Sequence, residues 1–265
     1  MDAHLPCHDR SISSGCSHLS QGTRETGDLV ARVDLSRDDL LALKGTPLPQ
    51  GAAFDELRLK DVPTGSDPKP GQHLDPLLHY VGRSEVYFTN HMATELKLPK
   101  GSIDHVTKKI RSSTRELELD YGNGILTIDA PSAQGISGNL KARGEANLSD
   151  ISITSDLDLA HIIVVSLDDQ PIKTSSRLLL QVMTEEQNSG WKTEAVDGGK
   201  LRISSIGRDP WTIKPISGTV RLQRSDASGL KVTALDGNGV PVAEHGRANE
   251  INLRPETFYY LISRN

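Results

Sequence analysis

The chain carries few of the residues that advertise a chemistry. Two of its 265 residues are cysteine, Cys7 and Cys16. Eight residues separate them, not the two to four of a structural zinc unit, so His4, His8 and His18 beside them do not make a metal site and none is expected. Beyond Cys16 there is no thiol, so disulfides do not hold the fold and no redox compartment follows. Long apolar runs are missing as well: nothing approaches the roughly 18 residues of a membrane helix, and the N-terminus lacks the basic-then-apolar order of a secretory signal. The expectation is a chain that stays cytoplasmic as written, with no membrane partner. Charge is not segregated either. Thirty basic and 35 acidic residues are interspersed to a net −5, which builds no basic face and excludes a nucleic-acid partner.

The motifs of common catalysis are equally scarce. There is no Gly-x4-Gly-Lys-Ser/Thr and no helix-opening Gly-x-Gly-x-x-Gly, so nucleotide binding has no support. Gly135–Gly138, "GISG", is too short for the Gly-x-Ser-x-Gly of a nucleophile elbow. His79, His91, His105 and His161 are scattered and read as ordinary structural or surface histidines.

What the chain does contain is punctuation. Aromatic residues make up only 4%, while 23 Gly and 14 Pro interrupt short apolar runs, as many turns require. Residues 1–27 have neither period 2 nor period 3.6 and read as a disordered leader. Residues 28–75 read as a short helix and a strap. Ser36 is placed as N-cap with Asp39 three residues on, Leu40, Leu41 and Leu43 supply the apolar side chains, and Gly45 is the stop. Four prolines and two glycines between Asp61 and Pro76 suit an extended connector. From residue 76 to 265, short strands recur at roughly ten-residue spacing with Gly, Asn, Asp or Pro between them. The pattern predicts an all-β fold, an antiparallel β-sandwich of jelly-roll type or two packed sheets, with any break into subdomains near residue 170. Within it "HIIVVSLDD" and "RLLLQVM" are continuously apolar over their middles, and both are expected to be central strands buried on both faces.

"LELDYGNGILTIDAPSAQG", Leu117 to Gly135, reads as a hairpin. With Asn123-Gly124 as a two-residue turn, Leu117, Leu119, Tyr121, Leu126 and Ile128 share the core face. Glu118 then stands opposite Asp129, whereas a four-residue turn opposes Glu116 to Asp129 instead, and opposed like charges are unfavourable. Three explanations are open. One is a solvated face neutralised by Arg115, Lys141 or Arg143. Another is a calcium site made by Glu116, Glu118, Asp120 and Asp129. The third is a glycosidase pair, Glu118 with Asp129, near the roughly 5 Å separation of a retaining enzyme. Trp191 and Trp211 both lie beside turn residues, where an indole either stacks on a sugar ring or closes the end of a sandwich core, and the same alternatives apply to Tyr259 and Tyr260.

Over residues 54–262 the string from "LRLKDVP" through "LDYGNGILTIDAPSAQG", "VVSLDDQPI", "SRLLLQVMTEE" and "GWKTE" to "IGRDPWTIK" resembles the C-terminal all-β region of large bacterial glycoside-hydrolase-like proteins. In that family a (β/α)8 barrel precedes a sandwich that packs on the barrel or binds glycan. A barrel takes about 200 to 250 residues, which this chain does not hold upstream, so the family's catalytic residues have no positions here. The resemblance implies an accessory, carbohydrate-associated module whose partner is an oligo- or polysaccharide. A small glycosidase using Glu118 and Asp129, and a self-associating structural β domain that pairs an edge strand with another copy, are the alternatives.

Overall fold

The computed structural model describes residues 27–41, 76–90 and 93–264. The expected leader up to residue 26, the Pro-rich strap and His91 lie outside them. The chain is all-β, built almost wholly of antiparallel sheets. The described residues form two compact units, divided between Gly122 and Asn123.

In the first unit the strands are β1 (Leu29–Ser36), β2 (Arg83–Thr89), β3 (Ala93–Leu96), β4 (Ile103–Asp104), β5 (Lys109–Arg111) and β6 (Leu117–Asp120). A short helix α1, Arg37–Leu41, begins directly after Ser36, where the cap predicts it. β1, which the sequence reading passed over, is the middle strand of a three-stranded sheet, parallel to β2 and antiparallel to β3. Its apolar Val30, Val33 and Leu35 are buried with Leu78, Val81 and Ile110, which holds the segment before the cap as a strand.

The second unit holds β7 (Ile125–Ala130), β8 (Ala133–Gly138), a one-turn helix α2 (Leu140–Arg143), β9 (Ala146–Asn147), β10 (Ile151–Thr154), β11 (Ala160–Ser166), β12 (Arg177–Thr184), β13 (Glu186–Val196), β14 (Lys200–Ile213), β15 (Thr219–Leu222), β16 (Lys231–Leu235), β17 (Pro241–Arg247), β18 (Ile251–Asn252) and β19 (Tyr259–Ser263). Its strands run β17-β16-β19-β12-β11-β8-β7 in one sheet and β18-β15-β10-β9 in a second. Ile136, Ile162, Leu180, Val232 and Ile262 of the first share one core with Ile151, Ile153, Val220 and Ile251 of the second. That is the expected sandwich. The break placed near residue 170 is not there: β11 and β12 pair from Ala160↔Thr184 to Ser166↔Leu178, inside one unit.

Both strands are central; Val164, Val165 and Ser166 at the end of β11 are buried on both faces as expected, but His161 and Ile163 of β11 and the whole outer face of β12 are at most half-buried. Along β12 burial alternates, with Leu178, Leu180 and Val182 in the core and Leu179, Gln181 and Met183 on the half-buried outer face. A sandwich has only one core between its sheets, so its central strands keep one face outside it. On that outer face Ser137, His161 and Met183 form a row across β8, β11 and β12.

The β11–β12 connection is pinned by Asp168. Its carboxylate accepts the hydroxyls of Ser166 (2.9 Å) and Ser175 (2.7 Å) and both the N–H and hydroxyl of Ser176 (2.8 Å each). Nearby Arg224, with its side chain only 5% exposed, donates to the carbonyls of Ile172 and Ser175 and pairs with Asp226. Among the described residues no helix is long and apolar enough to cross a membrane.

Candidate functional site

After Thr184 the chain leaves the large sheet and runs out as a two-stranded antiparallel ribbon, β13 with β14, returning at Lys214. The ribbon is fastened at its root. Thr184 Oγ1 donates to the Lys214 carbonyl at 2.7 Å, and the Lys214 N–H donates to the Glu185 carbonyl at 3.0 Å. Lys214 Nζ reaches Asp158 at 3.1 Å and Glu185 at 3.6 Å.

This exit leaves a cleft of about 1160 Å³ between the outer face of the sheet and the ribbon. Leu159, His161 and Met183 come from the sheet, while Glu185–Asn188, Trp191 and Trp211–Pro215 come from the ribbon and its root. The two tryptophans, twenty positions apart in sequence, therefore share one cavity. Trp191 is half-buried opposite Ile206, and Trp211, 65% exposed, stands opposite Asn188. The core-closing alternative does not describe Trp211.

The ribbon's local geometry depends on glycine at one crossing. Gly207 has φ +67°, and a Cβ there would lie 2.5 Å from the Ser189 carbonyl oxygen and 2.8 Å from the Trp191 nitrogen. Beside it, the Asn188 amide donates to the Ile206 carbonyl at 2.9 Å. Glycine thus allows the strands to close where Trp191 is presented.

The cleft's charges are arranged unevenly. Glu185 and Glu186 line it with Lys214 as the only cation among its Lys and Arg side chains. The hydrogen bond to Asp158 raises the Lys214 pKa, so that side chain stays cationic but is already paired. His161 Nδ1 lies 2.5 Å from Ser137 Oγ. Burial lowers the His161 pKa, which keeps the imidazole neutral at neutral pH. The exposed indole of Trp211 and the half-buried one of Trp191, beside the Gln187 side chain, can stack on a sugar's C–H face and hydrogen-bond its hydroxyls.

The carboxylates singled out in the sequence are engaged elsewhere. β6 ends at Asp120 and β7 begins at Ile125, so the connection has four residues rather than two. The opposition of Glu118 to Asp129 predicted from a two-residue Asn-Gly turn loses its basis. Glu118 is bound by Arg111, with one bond at 3.2 Å and a shorter one to the same oxygen, and Lys109 lies 3.6 Å away. The Arg111 hydrogen bonds hold its pKa below the ordinary value, the opposite of what a general acid needs. Asp129 accepts the N–H and hydroxyl of Ser149 at 3.0 Å each and fixes the turn before β10. Among the described residues no three His, Cys, Asp or Glu side chains gather as a metal site would require, so the calcium cluster drawn from Glu116, Glu118, Asp120 and Asp129 has no counterpart.

Of the tyrosines, Tyr260 is fully buried and its hydroxyl accepts the Arg254 N–H at 2.7 Å, a core role, while Tyr259 is half-buried on the opposite side of β19. His79 is exposed and bonded to Ser84. Of the cleft residues on the sheet, His161 was read from the sequence as an ordinary structural or surface histidine and Met183 was not singled out. Their one signal is register: period 2 puts Ala160 and Ile162 inward and His161 outward. Comparison of the chain with protein-family models, with curated proteins and with solved structures finds no match.

Proposed function

We propose that this chain is a carbohydrate-binding accessory β-sandwich module of a glycoside-hydrolase-like protein, taking an oligo- or polysaccharide in the cleft at the root of the ribbon. The observation that carries this reading is the placement of both tryptophans of an aromatic-poor chain in one open cavity. Two acidic side chains against one already paired lysine oppose uronate or sulfate groups, so the favoured ligand is a neutral glycan. Titrating intrinsic tryptophan fluorescence with neutral oligosaccharides tests it. Binding is expected to shift the emission, and Trp191→Ala or Trp211→Ala to weaken affinity about tenfold or more, as for a central aromatic anchor. Unchanged emission with every glycan, or full affinity in the double variant, refutes the reading.

The ribbon favours a second reading, self-association. One of its faces carries Trp191 with Ile206, Thr193 with Ile203 and Ala195 with Leu201, and the other carries Lys192 with Ser205 and the ion pair Glu194–Arg202. Ile203, Ile206 and Leu201 are 52%, 69% and 67% exposed. Pairing β14 with itself about a two-fold between Ser204 and Ser205 sets Lys200 opposite Asp209 and Ile203 opposite Ile206, a self-complementary edge. Light scattering behind size exclusion tests it. A dimer that Ile203→Lys and Ile206→Lys convert to monomer supports the reading, and a monomeric wild type at high micromolar concentration overturns it.

A further inference from the structure

We infer that His161 is the hydrogen-bond donor that reads a ligand hydroxyl or ring oxygen in the cleft, aimed by Ser137 as its positioning residue; the inference rests on the cleft being the glycan site. His161 stands on the outer face of β11, which is held by hydrogen bonds to β8 on one side and to β12 on the other. A central strand flanked in this way is the most rigid support the fold offers for a directional contact. The ring is half-buried, lines the cavity, and is fixed through Nδ1 to Ser137 Oγ.

The tautomer inferred for His161 takes the half-buried Ser137 hydroxyl as the donor in this bond, its one hydrogen bond among the described residues, with Nδ1 accepting. In a neutral imidazole that acceptor role at Nδ1 leaves the proton on Nε2. Nε2 in turn has no partner among the described residues, and the ring opens on the cavity shared by Trp191 and Trp211. The tryptophans supply stacking that tolerates many sugars. An Nε2–H fixed in direction supplies the discrimination that stacking lacks, because a hydroxyl it reaches must sit at one place above the sheet. Met183, the cross-strand neighbour of His161, gives the ring an adaptable apolar side wall and no competing acceptor of comparable strength.

The test uses the full chain and three separate probes, cellohexaose, xylohexaose and mannohexaose, with Trp191→Ala as the marker for the cleft itself. His161→Leu is expected to weaken the hexaose that binds by about three- to tenfold, the span of one net hydrogen bond. His161→Gln, which keeps an N–H donor, is expected to stay within about twofold. Ser137→Ala is expected to weaken binding, and Ser137→Thr to restore it. Two-bond nitrogen-15 NMR of the imidazole in mildly alkaline buffer is expected to show the Nε2–H tautomer in the wild type and a mixed population in Ser137→Ala, a readout that loss of packing alone does not move. If His161→Leu binds like the wild type while Trp191→Ala does not, the cleft stands and the role of His161 falls. An Nδ1–H tautomer overturns the inference whether or not any glycan binds. If none of the three hexaoses binds the wild type, the glycan reading and the donor role built on it fall together.

Discussion

Replacing Asp168 with asparagine exchanges one acceptor oxygen for an amide that can only donate. In the wild type one carboxylate oxygen takes the hydroxyls of Ser166 and Ser175, and the other takes the N–H and hydroxyl of Ser176. Asparagine keeps the first pair and turns its NH2 on the second, losing two charge-assisted bonds. Such bonds contribute about 1.5 to 3 kcal/mol each when buried, but Ser176 is exposed and water replaces part of the loss. A net cost of about 2 kcal/mol remains, equivalent to a fall in Tm of about 5–8 °C for a unit of this size. The cost depends on pH. Partial burial by itself raises the Asp168 pKa, yet the bonds from Ser175, Ser176 and Ser166 outweigh it and hold the carboxyl well below the usual carboxylate range. A folded-state pKa below the unfolded one stabilises the protein above the unfolded value, about 3.9, and the contribution is lost as pH falls from there toward the folded value. Denaturant unfolding of wild type and Asp168→Asn at neutral pH and again near pH 3 measures it. The stability difference is expected to be full at neutral pH and smaller in acid. Equal stabilities at neutral pH, or a difference that does not shrink in acid, would refute this account of the loop.

Two further substitutions probe the frame that carries the cleft. A Cβ on Gly135 would lie 2.5 Å from the Ile162 carbonyl oxygen and 2.8 Å from Ile163 Cα, both backbone atoms of the neighbouring strand. Gly135→Ala is expected to destabilise the fold by about 3 kcal/mol, seen as a lower urea midpoint with rapid proteolysis. Arg224→Ala would leave the Ile172 and Ser175 carbonyls without their buried donor and Asp226 without its first partner, though Arg264 still reaches Asp226. A loss of about 3 kcal/mol is expected, with Arg224→Lys recovering less than half because a single ammonium cannot span the same acceptors. Calorimetry of the three proteins checks the order.

How much of this was legible beforehand depends on the range of the interaction. Strand positions in the second unit follow from period-2 apolar alternation between turn residues, and "RLLLQVM" became β12 with Leu178, Leu180 and Val182 inward. β1 did not, because Leu29–Ser36 runs straight into a capped helix and its burial comes from Leu78, Val81 and Ile110, far along the chain. The hairpin register hung on the turn length, which local sequence left open between two residues and four. Asn123-Gly124 satisfies the two-residue rule locally, yet four residues, 121–124, connect β6 and β7. For the site, tryptophans beside turns were visible as candidates, whereas His161 looked like any strand histidine.

By itself the sequence determined what depends on neighbours a few residues apart: the all-β class, most strands, where the chain turns though not the length of each turn, and the helix start after Ser36. The tertiary structure decided which side chains meet. Glu118 was set against Arg111 and Lys109 by the β5–β6 register. Trp191 and Trp211 were gathered above His161 because Thr184 and Lys214 close the root of the ribbon on the sheet. Alternation fixes the face on which a side chain lies; only strand order and long-range hydrogen bonds fix what stands across from it.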